Sequence, residues 1–141
     1  MKKAARLEPL ADLAGLAEAD AGRRLAATVK VMQSKEAELA KLRSYLAEYG
    51  QRAEQDAATG SGRLQNTRAF LAKLSDAVAF QEAELAKVVE RYRLDSEQWR
   101  ASHQRAQALD KVVDRAEREA LHALRQREQA ELDEHAARRS R

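Results

Sequence analysis

Two rows of apolar residues, each stepping by seven, run without a slip from Leu71 to Ala123. One row is Leu71, Val78, Leu85, Tyr92, Trp99, Ala106, Val113 and Ala120. The other is Leu74, Gln81, Val88, Asp95, Ser102, Leu109, Ala116 and Ala123. Only Gln81, Asp95 and Ser102 are polar, whereas a chain that is 44% hydrophobic would place about seven apolar residues there by chance. A strict heptad keeps one narrow stripe against a partner helix only if the two supercoil left-handedly. The pattern predicts an all-α, antiparallel two-helix coiled coil that works by contact.

Composition agrees. Aromatics are 4%, charged residues 35%, and there is one proline among 141 residues. This is the profile of long helices, and a disordered chain has no reason to hold a phase. The net charge is +3, but basic and acidic side chains are interspersed on solvated faces. Only the ends lean basic, through Lys2, Lys3 and Arg6 and through Arg138, Arg139 and Arg141. The electrostatic footprint of a nucleic-acid backbone binder is missing. There is no cysteine, which fits a reducing compartment. No apolar run approaches the ~20 residues that span a bilayer, and Pro9, Asp12, Glu18 and Asp20 interrupt any signal-peptide core. The chain reads as cytoplasmic, without membrane insertion.

The spacing predicts a single rod over 1–141: helix one about 7–56, a turn about 57–63 and helix two about 64–137. Pro9 is expected in the first turn, where it is tolerated. The seam of helix one is Leu25, Met32, Leu39, Leu46 and Ala53, with Leu42 and Tyr49 as its second row. Leu7, Leu10, Ala14, Ala17 and Ala21 read in another phase, with a stutter through Ala21, Leu25 and Val29. Gly15 and Gly22 each cost about 1 kcal/mol relative to Ala, so the first 25 residues read as the softer part. Thr59-Gly60-Ser61-Gly62 is the break. A turn centred on Gly60 pairs residues whose numbers sum to about 119, setting Tyr49 against Phe70, Tyr45 against Leu74, Leu42 against Ala77 and Leu7 against Val112. Beyond Val113, helix two then has no partner in its own chain, yet Val113, Ala116, Ala120, Leu121 and Leu124 continue the stripe. Such a face marks an interaction site, unless a second copy or a curled N-terminus covers it. The heptad is lost beyond Ala123, and residues 1–8 and 136–141 are expected to be disordered alone.

Catalytic chemistry finds no support. Glu131 and His135 share a face as metal ligands can, but no further His or Cys completes a site. Gly60-Ser61-Gly62 lacks the lysine and strand of a phosphate loop. The chain reads as not an enzyme, with no cofactor. Gln81, Asp95 and Ser102 read as register-fixing polar residues, Asp95 pairing with Arg23, Arg24 or Arg91. Leu42, Tyr45, Tyr49, Phe70, Leu74 and Ala77 form one patch across both helices, with Phe80 further out. Aromatics flanked by aliphatics are the material of binding hot spots, or else a thicker core near the turn.

The Leu-rich start (Leu7, Leu10, Leu13, then Ala14 to Glu18), the spacing Leu42-x-x-Tyr45-x-x-x-Tyr49, the Gly/Ser turn, Phe70-x-x-x-Leu74-x-x-Ala77 and Trp99-Arg100 resemble the FliJ family. This is the stalk component of bacterial flagellar type III export. The resemblance implies a shaft-like hairpin that enters the hexameric flagellar export ATPase and promotes its assembly and turnover. It also implies binding to the cytoplasmic domain of the export gate, escort of export chaperones, and a place at the cytoplasmic face of the inner membrane. The family's gate-binding surface maps onto Leu42, Tyr45, Tyr49, Phe70, Leu74, Ala77 and Gln81. Glu38 stands where the family can carry Gln, and Gln81 where it can carry His, which leaves gate affinity and its pH dependence open. By analogy with rotary shafts, ring contact falls on Leu10, Leu13, Val113, Ala116, Ala120 and Leu124. The alternatives are a self-associating coiled-coil scaffold and the equivalent stalk of a virulence secretion system.

Overall fold

The computed structural model describes residues 2–60 and 62–140. Two helices pack against each other, α1 (Lys2–Thr59) and the longer α2 (Leu64–Arg139), and the described residues contain no strand. The fold is an all-α helical hairpin. Ala, Leu, Glu, Arg, Gln and Lys fill both helices and lose little side-chain freedom there. Gly60 takes φ +67°, the left-handed conformation that ends a helix at low cost when no Cβ is present. The Thr67 hydroxyl donates to Asp56 Oδ2 at 3.1 Å and ties the last turns of the hairpin together.

Burial on α2 follows the two heptad rows, with all of their positions withdrawn from solvent except Tyr92 and Ala123. On α1 the stripe begins Ala4, Leu7, Ala11, Ala14, Glu18, Ala21 and continues Leu25, Thr28, Met32, Lys35 in unbroken steps of three and four. The expected stutter is therefore absent. Thr28 occupies the seam, and Val29 stands beside it. An apolar count misplaces this turn because the seam residue is a hydroxyl that finds a polar partner. Thr28 Oγ1 donates to Asp95 Oδ2 at 2.6 Å, and both residues are buried. Arg91 Nε lies 4.0 Å from the same carboxylate oxygen.

The register also differs from expectation. Thr28 with Asp95 and Asp56 with Thr67 are seam pairs whose numbers sum to 123. The turn is centred midway between Thr59 and Leu64, later than Gly60, which moves these seam pairs by about four residues. Leu42 consequently falls in register with Gln81 rather than Ala77, and in the terminal unit Ala4 and Ala120 line one cleft, so Leu7 lies past the expected Val112. The expected Tyr49–Phe70 contact forms nonetheless, because both rings reach along one flank.

Both helices are longer than expected. α1 starts at Lys2, so Pro9 lies inside the helix rather than in its first turn, and the hydrogen bond to the Ala5 carbonyl is lost. Residues 2–8 and 136–139 are helical rather than disordered, while Met1, Ser61 and Arg141 fall outside the described residues. The extra turns of α1 carry Ala4 and Leu7 into the seam. Val113 and Ala116 are accordingly buried, and the exposed part of α2 begins at Leu121.

Contacts group into two compact units: Arg23–Glu97, and Met1–Gly22 with Gln98–Arg141. In the first, Leu39, Leu74 and Val78 are buried apolar residues nearer the turn than the buried Thr28–Asp95 pair. In the second, Ala4, Ala14, Ala21, Ala106, Val113 and Ala116 are buried. Small side chains let these helices approach closely. Trp99 lies over Gly22, where an added Cβ would sit 3.5 Å from the indole. The indole stacks on the His103 ring at 5.0 Å and 13°, and His103 Nδ1 lies 2.7 Å from Glu18 Oε1.

Candidate partner-binding surfaces

Within Arg23–Glu97, the seven residues mapped to gate binding divide by their place on the coil. Leu42, Tyr49, Leu74 and Gln81 belong to the seam rows, whereas Tyr45, Phe70 and Ala77 lie on one flank of the hairpin. Leu74 is 8% exposed, Tyr45 50% and Phe70 42%, which decides what another molecule can touch. Tyr45 and Phe70 are the solvent-facing members of the set, Tyr49, Ala77 and Leu42 are half-buried, and Leu74 is buried. Tyr49 and Phe70 meet edge to face, with centroids 4.7 Å apart at 66°. Such a pair contributes roughly 0.5–1.5 kcal/mol beyond its buried area and fixes both rings. The Arg52 guanidinium caps the other side of Tyr49 at 4.8 Å from the ring centroid. The patch is thus a rigid aromatic ledge with a cationic edge, open to solvent beside Arg63, Asn66 and Thr67. Gln81 Oε1 is buried in the seam without a hydrogen-bond partner among the described residues. Phe80 is 61% exposed on the outer side of α2.

In the unit that holds both termini, Leu10 and Leu13 are 48% and 62% exposed, as a contact role requires. Leu124 is exposed and Ala120 half-buried. Val113 and Ala116 are packed inside the hairpin and offer nothing to another molecule while it stays closed. Sequence reading missed Leu16 and Leu132, exposed at 66% and 64%; their spacing from the seam would have flagged them as outward-facing. A cleft of about 740 Å³ opens where α1 begins, between Ala4, Ala5 and Glu8 on one side and Ala120, Leu121 and Leu124 on the other. The carboxyls of Glu8 and Glu117 meet at its edge. The Glu8 hydrogen bond, slight desolvation, and the negative charges of Glu8 and Asp114 raise Glu117 from its ordinary value.

Among the described residues, no helix is long and apolar enough to cross a membrane, and no group of three potential metal ligands stands together. The surface is one of apolar ledges between matched charges. The family model described as flagellar FliJ protein matches residues 1–141, the whole chain. The chain belongs to the FliJ family. It is a stalk-type component connected with flagellar protein export. No curated protein and no solved structure matches it.

Proposed function

We propose that this FliJ-family chain is the central stalk of the flagellar export apparatus, binding the export ATPase ring, the cytoplasmic domain of the export gate and export chaperones. The observation that carries the reading is the Tyr49–Phe70 ledge. A residue set implied by family resemblance alone is held together by a 4.7 Å ring contact, with Tyr45 and Phe70 exposed beside it. Gate binding is assigned to this flank. Ring contact is assigned to Leu10, Leu13, Ala120 and Leu124, with Leu121 added because it shares their exposure. Val113 and Ala116 act there only as support. The chain works at the cytoplasmic face of the membrane as a peripheral component and carries out no catalysis of its own.

The ledge is tested by Tyr45→Ala together with Phe70→Ala. Loss of two aromatic anchors weakens binding to the purified gate domain by roughly tenfold or more, while the helical circular dichroism stays at its original intensity. Unchanged gate affinity removes the ledge from the interface, and collapse of the helical signal makes these residues core.

A further inference from the structure

α2 is exposed at every described position beyond Ala120, although its sequence does not turn random there. Ala116, Ala123, Ala130 and Ala137 step by seven and extend one seam row past the start of α1. Along the second row, Ala120 is followed by Arg127 and then Glu134. Leu121, Leu124 and Leu132 flank these rows, 48%, 46% and 64% exposed.

We propose that this face is covered by a second copy of the chain, with the two α2 extensions packed antiparallel around Ala130. Charge selects both the occupant and the direction. In antiparallel pairing about Ala130, Ala123 meets the second copy's Ala137, and Arg127 meets the second copy's Glu134, twice over by symmetry. A parallel pair sets Arg127 on Arg127 and Glu134 on Glu134, and like charges repel at both contacts. Alanine rows allow a close approach of the two helices. The hairpin mouth supplies a further match. The antiparallel register brings the second copy's Arg139 opposite Leu121, about one helical turn from the adjoining carboxyls of Glu8 and Glu117. Neither Arg127 nor Arg139 has an ion pair among the described residues. Arg138 is held in its own chain by Glu134 at 3.0 Å, a contact that must be shared on pairing. Glu131 lies near the two-fold axis and meets its own counterpart, which keeps the association weak and reversible. The inference goes beyond the stalk reading and does not depend on it; if both hold, self-association and ring contact exclude each other, because they use the same face.

Sedimentation equilibrium of the full chain, of Arg127→Glu, of Glu134→Arg and of the two variants mixed tests the pairing. The expected result is a reversible dimer at about micromolar to tens of micromolar concentration, roughly tenfold weaker in each variant alone and restored in the mixture, where opposite charges meet again at both contacts. Direction is read by oxidation of single-cysteine variants, since the chain has no cysteine of its own. Ala130→Cys cross-links to its own copy across the axis, and Ala123→Cys does not. A monomer throughout, variants that dimerise like the parent, or equal cross-linking of both cysteine variants overturns the proposal.

Discussion

Gly22 and Gly15 are the same residue type in the same stretch of α1, yet their surroundings differ. A Cβ at Gly22 would rest 3.5 Å from the Trp99 indole, an ordinary contact, while nothing lies within 4 Å of Gly15. Gly15→Ala therefore stabilises the chain by about 1 kcal/mol through helix propensity alone, read from a urea-denaturation midpoint. Gly22→Leu pushes the indole off α1. Because Trp99 is the sole tryptophan, its emission shifts to the red in that variant and stays put in Gly15→Ala. The Glu8–Glu117 pair gives a pH prediction of definite sign. Glu117 is raised in the folded chain, so the folded state holds more proton there than the unfolded chain, and this site favours folding as pH falls from neutral toward the carboxylate range. Glu8→Gln returns the Glu117 titration, followed by carboxyl carbon NMR, toward its ordinary position. A titration unchanged by that substitution contradicts the assigned cause.

At the level of the elements, the heptad of α2 was legible because thirteen of its sixteen seam positions are apolar. α1 was harder to read. Its seam passes through Glu18, Thr28 and Lys35, and a search for apolar spacing slides off these residues onto Leu10, Ala17 and Val29. Burial of Thr28 depends on Asp95, sixty-seven positions away, and no local pattern announces that pair. The turn was visible as a glycine-rich break, but its centre depends on where each helix stops, and four residues of register followed from that detail. The pair has a measurable consequence. Thr28→Val removes the hydrogen bond to the buried Asp95 carboxylate, which keeps Arg91 at 4.0 Å, and destabilises the hairpin by about 1–3 kcal/mol in urea denaturation. Replacing both residues by aliphatics restores most of that loss, since a well-packed apolar pair is no worse than a buried polar one. If the single substitution is neutral, the hydrogen bond contributes nothing to stability.

For the whole molecule, the fold and the family were both within reach of the sequence, and the family match spans 1–141. The aromatic ledge was legible as a set of residues because its spacing is local on each helix. Its division into exposed Tyr45 and Phe70 over buried Leu74 depended on the coil register and on the two rings meeting across it. The exposure of the residues proposed for ring contact was only half legible. Leu10, Leu13 and Leu124 are open, but the start of α1 at Lys2 closes over Val113 and Ala116 and moves the free face to Leu121 and beyond. That shift defines a cleaner truncation, because a chain ending at Ala120 keeps every buried seam residue of α2, and the described residues beyond it are all exposed.

ATP hydrolysis by the cognate flagellar export ATPase, measured with increasing amounts of the full chain and of the chain ending at Ala120, tests the stalk reading most directly. The stalk reading predicts stimulation that saturates near one full-length chain per ATPase ring, and little or none from the shortened chain while its helical content remains that of a folded hairpin. No stimulation of a competent ATPase by the full chain contradicts it.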